Sequence, residues 1–172
     1  MTPTARFDVT PTARASNLSL AEAARRHAVD ANTKGLPARA RTHLHEARRL
    51  LDSVDEADTT SADILRFHCL ITESAADFLE VGLDGALTRL EEARRQLEAL
   101  PPASAATLAS RLRFQRAGFL ARGSRYVEAK ALLDELDHDA FDGDERIRVH
   151  IIRGLVEAEL GYPALATDHF EV

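Results

Sequence analysis

The amino-acid sequence predicts an all-α protein built from about four antiparallel helical hairpins. In each one, a glycine ends a first helix, and apolar residues then recur at spacings of three and four, which places them on one face of a second helix. The glycines and the residues that follow them are Gly35 with Ala40, Leu44 and Ala47; Gly82 with Ala86, Leu90 and Ala93; Gly123 with Ala129, Leu133 and Leu136; and Gly161 with Ala166 and Phe170. No segment alternates polar and apolar residues as a strand would.

Composition and charge exclude several classes of function. The formal net charge is −6, so non-specific binding to nucleic acid is not expected. No apolar run approaches the roughly 20 residues of a membrane-spanning helix, so no membrane partner is expected. Cys69 is the only cysteine, which excludes an intrachain disulfide and favours a reducing, cytoplasmic location. Arginine supplies almost all of the positive charge, a bias typical of GC-rich bacterial genomes.

The first two hairpins are predicted at about residues 18–54 and 61–100. Residues 1–17 show no helical period and contain Pro3 and Pro11, which predicts a disordered tail. Ser19 and Glu22 have the spacing of a capping box and predict the start of the first helix. The predicted inward residues of the four helices are Leu20, Ala24, Ala28 and Ala31; Ala40, Leu44, Ala47 and Leu51; Ile64, Phe67 or His68, Ile71, Ala75 and Phe78; and Leu87, Leu90, Ala93, Leu97 and Leu100.

The last two hairpins are predicted at about residues 104–136 and 144–172. Pro101 and Pro102 end the fourth helix, because proline cannot continue one. Gly123 and Ser124 form the corner of the third hairpin, and residues 137–145 form an acidic loop. The predicted inward residues are Leu108, Leu112, Phe114, Ala117 and Ala121; Ala129, Leu133 and Leu136; and Ile147, Ile151, Leu155 and Ala158.

The last hairpin is expected to be truncated at Val172, within its second helix. Helical arrays need terminal caps with a polar outer face, because one hairpin cannot bury its apolar side alone. We therefore expect Leu155, Leu165 and Phe170 to be partly uncovered. The expected partner for this end is a downstream segment of the same protein or a second copy of the chain.

The residues that could carry chemistry do not form a recognisable catalytic or metal site. Neighbours on a helix point about 100° apart, so His68 and Cys69 cannot act as base and nucleophile, and His43 and His45 diverge as well. Residues 137–145 do not match a complete calcium loop, since Phe141 takes the fifth position, where an EF-hand needs an oxygen ligand. We expect these acids to cap the seventh helix instead. The prediction is a protein that is not an enzyme and holds no cofactor or metal.

The hairpins resemble tetratricopeptide repeats over about residues 18–172. That family places large and small residues four apart on the first helix of each unit and a small-large-small pattern on the second. The matching residues are Phe114, Ala117, Gly118 and Ala121 with Ala129, Leu133 and Leu136; Ile71, Ala75 and Phe78; Ala24, Ala28 and Ala31, by size; and Gly154 and Ala166. Glu157 departs from the pattern, and the spacings of 46, 43 and 37 between Ala40, Ala86, Ala129 and Ala166 exceed the family's usual 34.

The resemblance implies a right-handed superhelix whose concave groove is lined by one edge of each first helix. It implies a binding scaffold for a protein or peptide segment. The candidate partner-binding residues are Arg25, Val29, Asn32, Thr72, Leu79, Gln115, Phe119, Arg122 and Arg148. Because three of these residues are arginines, we expect an acidic or acidic-apolar partner. A chaperone-tail receptor is disfavoured, since Val29 stands where its carboxylate clamp needs an asparagine.

Several alternatives stay open at this point. The groove residues can also be plain surface or packing residues, and a generic helical bundle has the same amphipathic faces. The chain is similar to the amino-terminal regions of large bacterial proteins that carry a caspase-like (CHAT) protease domain, and to the repeat arrays of bacterial signalling regulators. That likeness implies a sensor region controlling a catalytic domain that is not in this chain. Self-association is a third possibility.

Overall fold

The computed structural model describes residues 15–54 and 58–170 and is all-α, as predicted. In this part of the chain there are eight α-helices, one 3-10 turn at His138–Ala140 and no strand. The helices are α1 (Ala15–Thr33), α2 (Pro37–Leu51), α3 (Thr59–Glu80), α4 (Leu83–Leu97), α5 (Pro102–Arg122), α6 (Tyr126–Asp134), α7 (Gly143–Glu159) and α8 (Pro163–Phe170).

The helices pack in consecutive pairs. α1 packs on α2, α3 on α4, α5 on α6 and α7 on α8, and α3 also contacts α1 and α5. Three of the four pair turns place a glycine in the left-handed region, at Gly35 (φ 69°), Gly82 (φ 94°) and Gly161 (φ 85°). In the third turn the left-handed residue is Ser124 (φ 59°) rather than Gly123.

An alanine is buried near the start of the second helix of each pair. Ala40, Ala86 and Ala129 are fully buried near the starts of α2, α4 and α6, and Ala166 is 4% exposed in α8. A methyl side chain at these points allows the two helix axes to approach closely. All four predicted inward residues of α2 are buried, so the amphipathic face of that helix is confirmed.

The start of α1 differs from the prediction. The helix begins at Ala15, so Ser19 lies inside it instead of capping it, and Leu20 is half exposed. The Glu22 carboxylate accepts hydrogen bonds from Arg25 and Arg26 on the next turn. Because the helix has already begun four residues before Ser19, the capping-box spacing does not mark its start, and Glu22 forms side-chain pairs instead. The remainder of the predicted tail, residues 1–14, lies outside the described residues.

The predicted inward face of α7 is wrong. Its members, Ile147, Ile151, Leu155 and Ala158, are exposed, whereas Val149, Gly154, Val156 and Glu157 are buried. This helix carries apolar residues at helical spacing on two faces, so periodicity alone cannot select the buried one. Gly154 lies on the buried face because it packs directly against α8: a Cβ at this position would lie 2.6 Å from the Phe170 ring. As expected, Leu155, Leu165 and Phe170 are each about half exposed.

The buried side of α3 contains charged residues that its sequence pattern did not predict. Glu73 and Asp77 are only 6% exposed and face α2 and α4. Asp77 accepts from Arg41 of α2 at 2.5 Å and from Arg89 of α4 at 2.9 Å. Glu73 pairs with Arg48 of α2 and lies 3.3 Å from Arg89. These arginines hold α3 between α2 and α4 while the opposite edge of α3 stays open.

Replacing Ala86 with phenylalanine tests the contact between α3 and α4. The added ring has no free volume at a fully buried position, so we expect the free energy of unfolding to fall by about 1–3 kcal/mol. Urea unfolding measures this change. Ala106 is exposed on α5 and provides the control, Ala106→Phe. An unchanged unfolding midpoint for Ala86→Phe would contradict the helix register described here.

Replacing Asp77 with alanine tests the buried ion pairs. Arg41 and Arg89 would lose a shared acceptor at a mostly buried site, so we expect a loss of about 2–4 kcal/mol of stability. Asp30→Ala is the matched control, because the Asp30–Lys34 pair is exposed and such pairs contribute little. Equal losses of stability in Asp77→Ala and Asp30→Ala would show that burial does not increase the contribution of the Asp77 ion pairs.

Candidate partner-binding groove

A cavity of about 780 Å³ runs along the open edges of α1, α3 and α5 and reaches α7. Eight of the nine residues that the sequence predicts for a groove line this one cavity. They are Arg25, Val29 and Asn32 of α1, Thr72 and Leu79 of α3, Gln115 and Arg122 of α5, and Arg148 of α7. The structure therefore brings these eight residues together on one surface, which we call the groove.

Phe119, the ninth predicted residue, lies in the core and does not line the groove. It is 2% exposed, and its ring stacks on Phe78 with a centroid distance of 5.1 Å. Its spacing of four from Gln115 suggested the same helix edge, but the aromatic ring turns inward to the apolar space between α3 and α5. Phe78 is also 5.9 Å from the guanidinium of Arg122, so this aromatic pair supports the groove from beneath.

Several residues that line the groove were not predicted from the sequence. Its apolar wall includes Phe67, Ile71, Phe114 and Phe141, and its polar lining includes His68, Arg111 and Glu145. A signal for two of them was present: His68 precedes Thr72, and Arg111 precedes Gln115, by one helical turn. Extending the predicted edge by one turn towards the start of each helix would have included both residues.

The charge of the groove is opposite in sign to that of the whole chain. Four guanidinium groups and one carboxylate line the cavity, whereas the formal net charge of the chain is −6. Within the described residues no carboxylate forms an ion pair with Arg122 or Arg148, and both side chains are exposed. The groove is thus a local positive surface on an acidic protein, with two exposed arginines that no carboxylate of the described residues pairs with.

The other two arginines are held by carboxylates of the protein. Arg25 forms a fork with Glu22, with both nitrogen–oxygen distances 2.8 Å, and this pairing holds the pKa of Glu22 below its ordinary value. The Nη2 atom of Arg111 donates to Glu145 at 2.9 Å. Asn32 is positioned by the bond from its Nδ2 to the Thr72 carbonyl at 2.8 Å.

His68 lies where the groove meets a second cavity, between two arginines. Arg25, His68 and Arg111 also line an adjoining cavity of about 540 Å³, so these three side chains form the junction of the two spaces. Burial, followed by the charges of Arg25 and Arg111, lowers the pKa of His68 to about 4. The imidazole is therefore neutral near pH 7.

Cys69 points into the core and has no role in the groove. It is fully buried, and burial raises the pKa of its thiol to about 11, so the nucleophilic thiolate is not formed near pH 7. The prediction of a buried or half-buried structural pair at His68 and Cys69 is confirmed in its placement, since His68 is half-buried.

The acidic segment before α7 serves as a helix cap. The Asp142 carboxylate accepts from the Glu145 backbone N–H at 3.2 Å, and the Glu145 side chain accepts from the Asp142 N–H in return. The prediction that these acids cap the seventh helix is confirmed at Asp142.

Among the described residues, no three His, Cys, Asp or Glu side chains are grouped as ligands for a metal ion. None of the helices described above combines the length and apolar content needed to cross a membrane.

Comparison of the chain with protein-family models, with curated proteins and with solved structures found no match. The tetratricopeptide resemblance therefore stays a prediction that depends on the residues named for it. The site has to be interpreted from its own geometry and charge.

The depressed pKa of His68 predicts a pH-dependent stability. Between about pH 6.5 and 4 the unfolded chain protonates this residue and the folded chain does not, so stability falls as pH is lowered through this window. We expect the loss of stability across this window to be about 3 kcal/mol. Urea unfolding of the wild type and of His68→Gln across this range measures it, because the variant should lose less stability. Parallel pH profiles for the two proteins would contradict a buried, neutral His68.

Proposed function

We propose that this chain is a cytoplasmic, bacterial binding scaffold that holds an acidic segment of a protein or peptide in the groove. In this proposal the four helix pairs are tetratricopeptide-like units of a right-handed superhelix, and the groove is its concave side. The observation that carries the proposal is the lining of one cavity by four arginines, one carboxylate and a wall of aromatic and aliphatic side chains.

The groove suits an extended ligand with both acidic and apolar side chains. Its lining comes from four helices, so a ligand that filled it would contact all of them. The guanidinium group is planar, weakly hydrated and able to bind carboxylates through two parallel hydrogen bonds. Phe114, Ile71 and Leu79 supply apolar surface between the arginines, and burying that surface would provide affinity that charge alone does not.

Charge also supports the selection of an acidic partner. The groove is positive and the chain as a whole is negative, so an acidic segment would be repelled by most of the surface and attracted to the groove. Such an arrangement raises the association rate and fixes where a ligand docks. It also makes binding sensitive to salt, because Arg122 and Arg148 are exposed to solvent.

Reversing the charge of Arg122 tests this function. The probe is a fluorescein-labelled peptide in which Glu and Leu are separated by Ser. We expect Arg122→Glu to weaken its binding by about tenfold or more, because a cation of the groove is replaced by a group with the same charge as the peptide. Fluorescence anisotropy measures the affinity. Arg95→Glu is the matched control, since Arg95 is an exposed arginine on α4 that does not line the groove.

The salt dependence gives a second readout on the same peptide. Affinity should fall as ionic strength is raised from about 0.05 to 0.5 M, where screening is strong. Equal affinity across this range, or equal weakening in Arg122→Glu and Arg95→Glu, would contradict an electrostatic role for the groove. Thermal unfolding of both variants verifies that the fold is retained.

A second candidate function is favoured by the exposed apolar face of α7. Ile147, Ile151 and Leu155 are 55%, 43% and 50% exposed and lie at spacings of four. In this candidate, the helical array is a sensor that controls a catalytic domain outside this chain, and this face contacts that domain. The two candidates differ in the residues they need. Contact with a catalytic domain would depend on Ile151, and capture of the acidic segment would depend on Arg122.

A further inference from the structure

The junction of the two cavities is built differently from the part of the groove that holds Arg122 and Arg148. Three side chains from three different helices meet there: Arg25 of α1, His68 of α3 and Arg111 of α5. We propose that this junction is the subsite for one carboxylate side chain of the acidic segment, and that its occupation draws a proton onto His68. The proposal rests on the proposed function of the groove and adds the position and the chemistry of one contact.

The two arginines of the junction are held in place before any ligand arrives. Glu22 fixes one edge of the Arg25 guanidinium, and the Nη1 atom of Arg25 lies 3.5 Å from the Thr72 hydroxyl oxygen. Side chains positioned in this way lose less conformational entropy when a ligand binds. The junction therefore presents fixed positive charge on both sides of His68.

Arg111 has donors that the protein does not use. It engages Glu145 through Nη2 alone, and its Nε is buried without an acceptor in the described part of the chain. The same Glu145 oxygen also accepts from the Asp142 backbone N–H, so this carboxylate is shared with the cap of α7. A buried donor without an acceptor is unfavourable, and a ligand carboxylate beside Arg111 would supply acceptor oxygens to its guanidinium.

His68 likewise has an unused hydrogen-bonding capacity. Its ring packs edge-on against Phe67, and within the described residues its nitrogens have no hydrogen-bond partner. The charged groups that face it are Arg25 and Glu22 from α1 and Arg111 from α5, the last paired with Glu145 of α7. The two cations oppose a third positive charge, which together with burial explains why the free protein keeps this ring neutral.

A carboxylate in the junction reverses this balance. Its negative charge adds to those of Glu22 and Glu145, which already pair with the two guanidinium groups, and its oxygen can accept a hydrogen bond from the protonated ring. The pKa of His68 should then rise from about 4 towards the ordinary 6.5. Because the bound state takes up a proton, binding must tighten as pH is lowered, by linkage. The carboxylates of a peptide stay ionised above about pH 5.5, so the effect is separable from their own titration.

The experiment follows His68 directly in the wild-type chain with the same Glu/Leu/Ser peptide. Two-dimensional NMR of the histidine ring carbons gives the pKa of His68 in the free protein and at saturating peptide. We expect a rise to about 6 on binding, and an affinity about three- to fivefold higher at pH 5.5 than at pH 7.5. His68→Gln should lose this pH dependence and keep the salt dependence.

Two controls isolate the carboxylate and the arginine. A peptide with Gln in place of Glu should leave the pKa of His68 unchanged, and an equal rise with that peptide would overturn the role of a carboxylate. Arg111→Gln should weaken binding more than Arg113→Gln, a change at an exposed arginine of α5 outside the groove. The NMR measurement uses the wild type, so the test stands even where a variant fails to fold.

The possible results separate this proposal from the function of the groove. One result would overturn the subsite alone. In that result binding is salt-sensitive and depends on Arg122, but the pKa of His68 does not change and Arg111→Gln and Arg113→Gln have equal effects. Absence of binding by the acidic peptide would overturn both. Binding with a raised His68 pKa that is lost in the Gln peptide supports both.

Discussion

The structure depends on two carboxylates that are buried where charge is unfavourable. Glu73 and Asp77 lie on the side of α3 that faces α2 and α4, and removing a carboxylate from water is costly unless cations and hydrogen bonds replace the solvent. Arg41, Arg48 and Arg89 provide that replacement from both neighbouring helices. Because Arg41 and Arg89 reach both acids and Arg48 reaches Glu73, the rotation of α3 about its own axis is restricted. Its other edge, with His68 and Thr72, is thereby directed into the groove.

This arrangement assigns opposite electrostatic roles to the two sides of one helix. On the packed side, acids are neutralised by arginines of the protein, and the pairs are complete. On the groove side, arginines from α1, α5 and α7 outnumber carboxylates, and Arg122 and Arg148 have no carboxylate of the described chain as ion-pair partner. The first set stabilises the stack of helices. The second set leaves positive charge on the groove that carboxylates of the described residues do not offset.

The amino-acid sequence predicted the structure wherever a helix has a single apolar face. The inward residues of α2 were predicted correctly because only one stripe at helical spacing exists there. Apolar spacing did not identify the buried face of α7, which has two such stripes. It also did not identify the buried acids of α3, which look like solvent-facing residues until their arginines on other helices are known. For the groove, residues at spacings of four and three on each first helix line one cavity, with the exception of Phe119. Phe119 was misplaced because spacing does not report whether an aromatic ring turns towards the core.

The alanines buried near the starts of α2, α4 and α6 have a consequence for sequence change over evolutionary time. A side chain without rotamers loses no conformational freedom on burial, so Ala40, Ala86 and Ala129 close the pairs without an entropic penalty from their side chains. The same positions leave no room for a larger residue, since the contact distance is set by the methyl group. Accepted replacements should therefore be confined to glycine and serine. Neighbouring leucines such as Leu44, Leu90 and Leu133 can drift among aliphatic residues if volume elsewhere compensates.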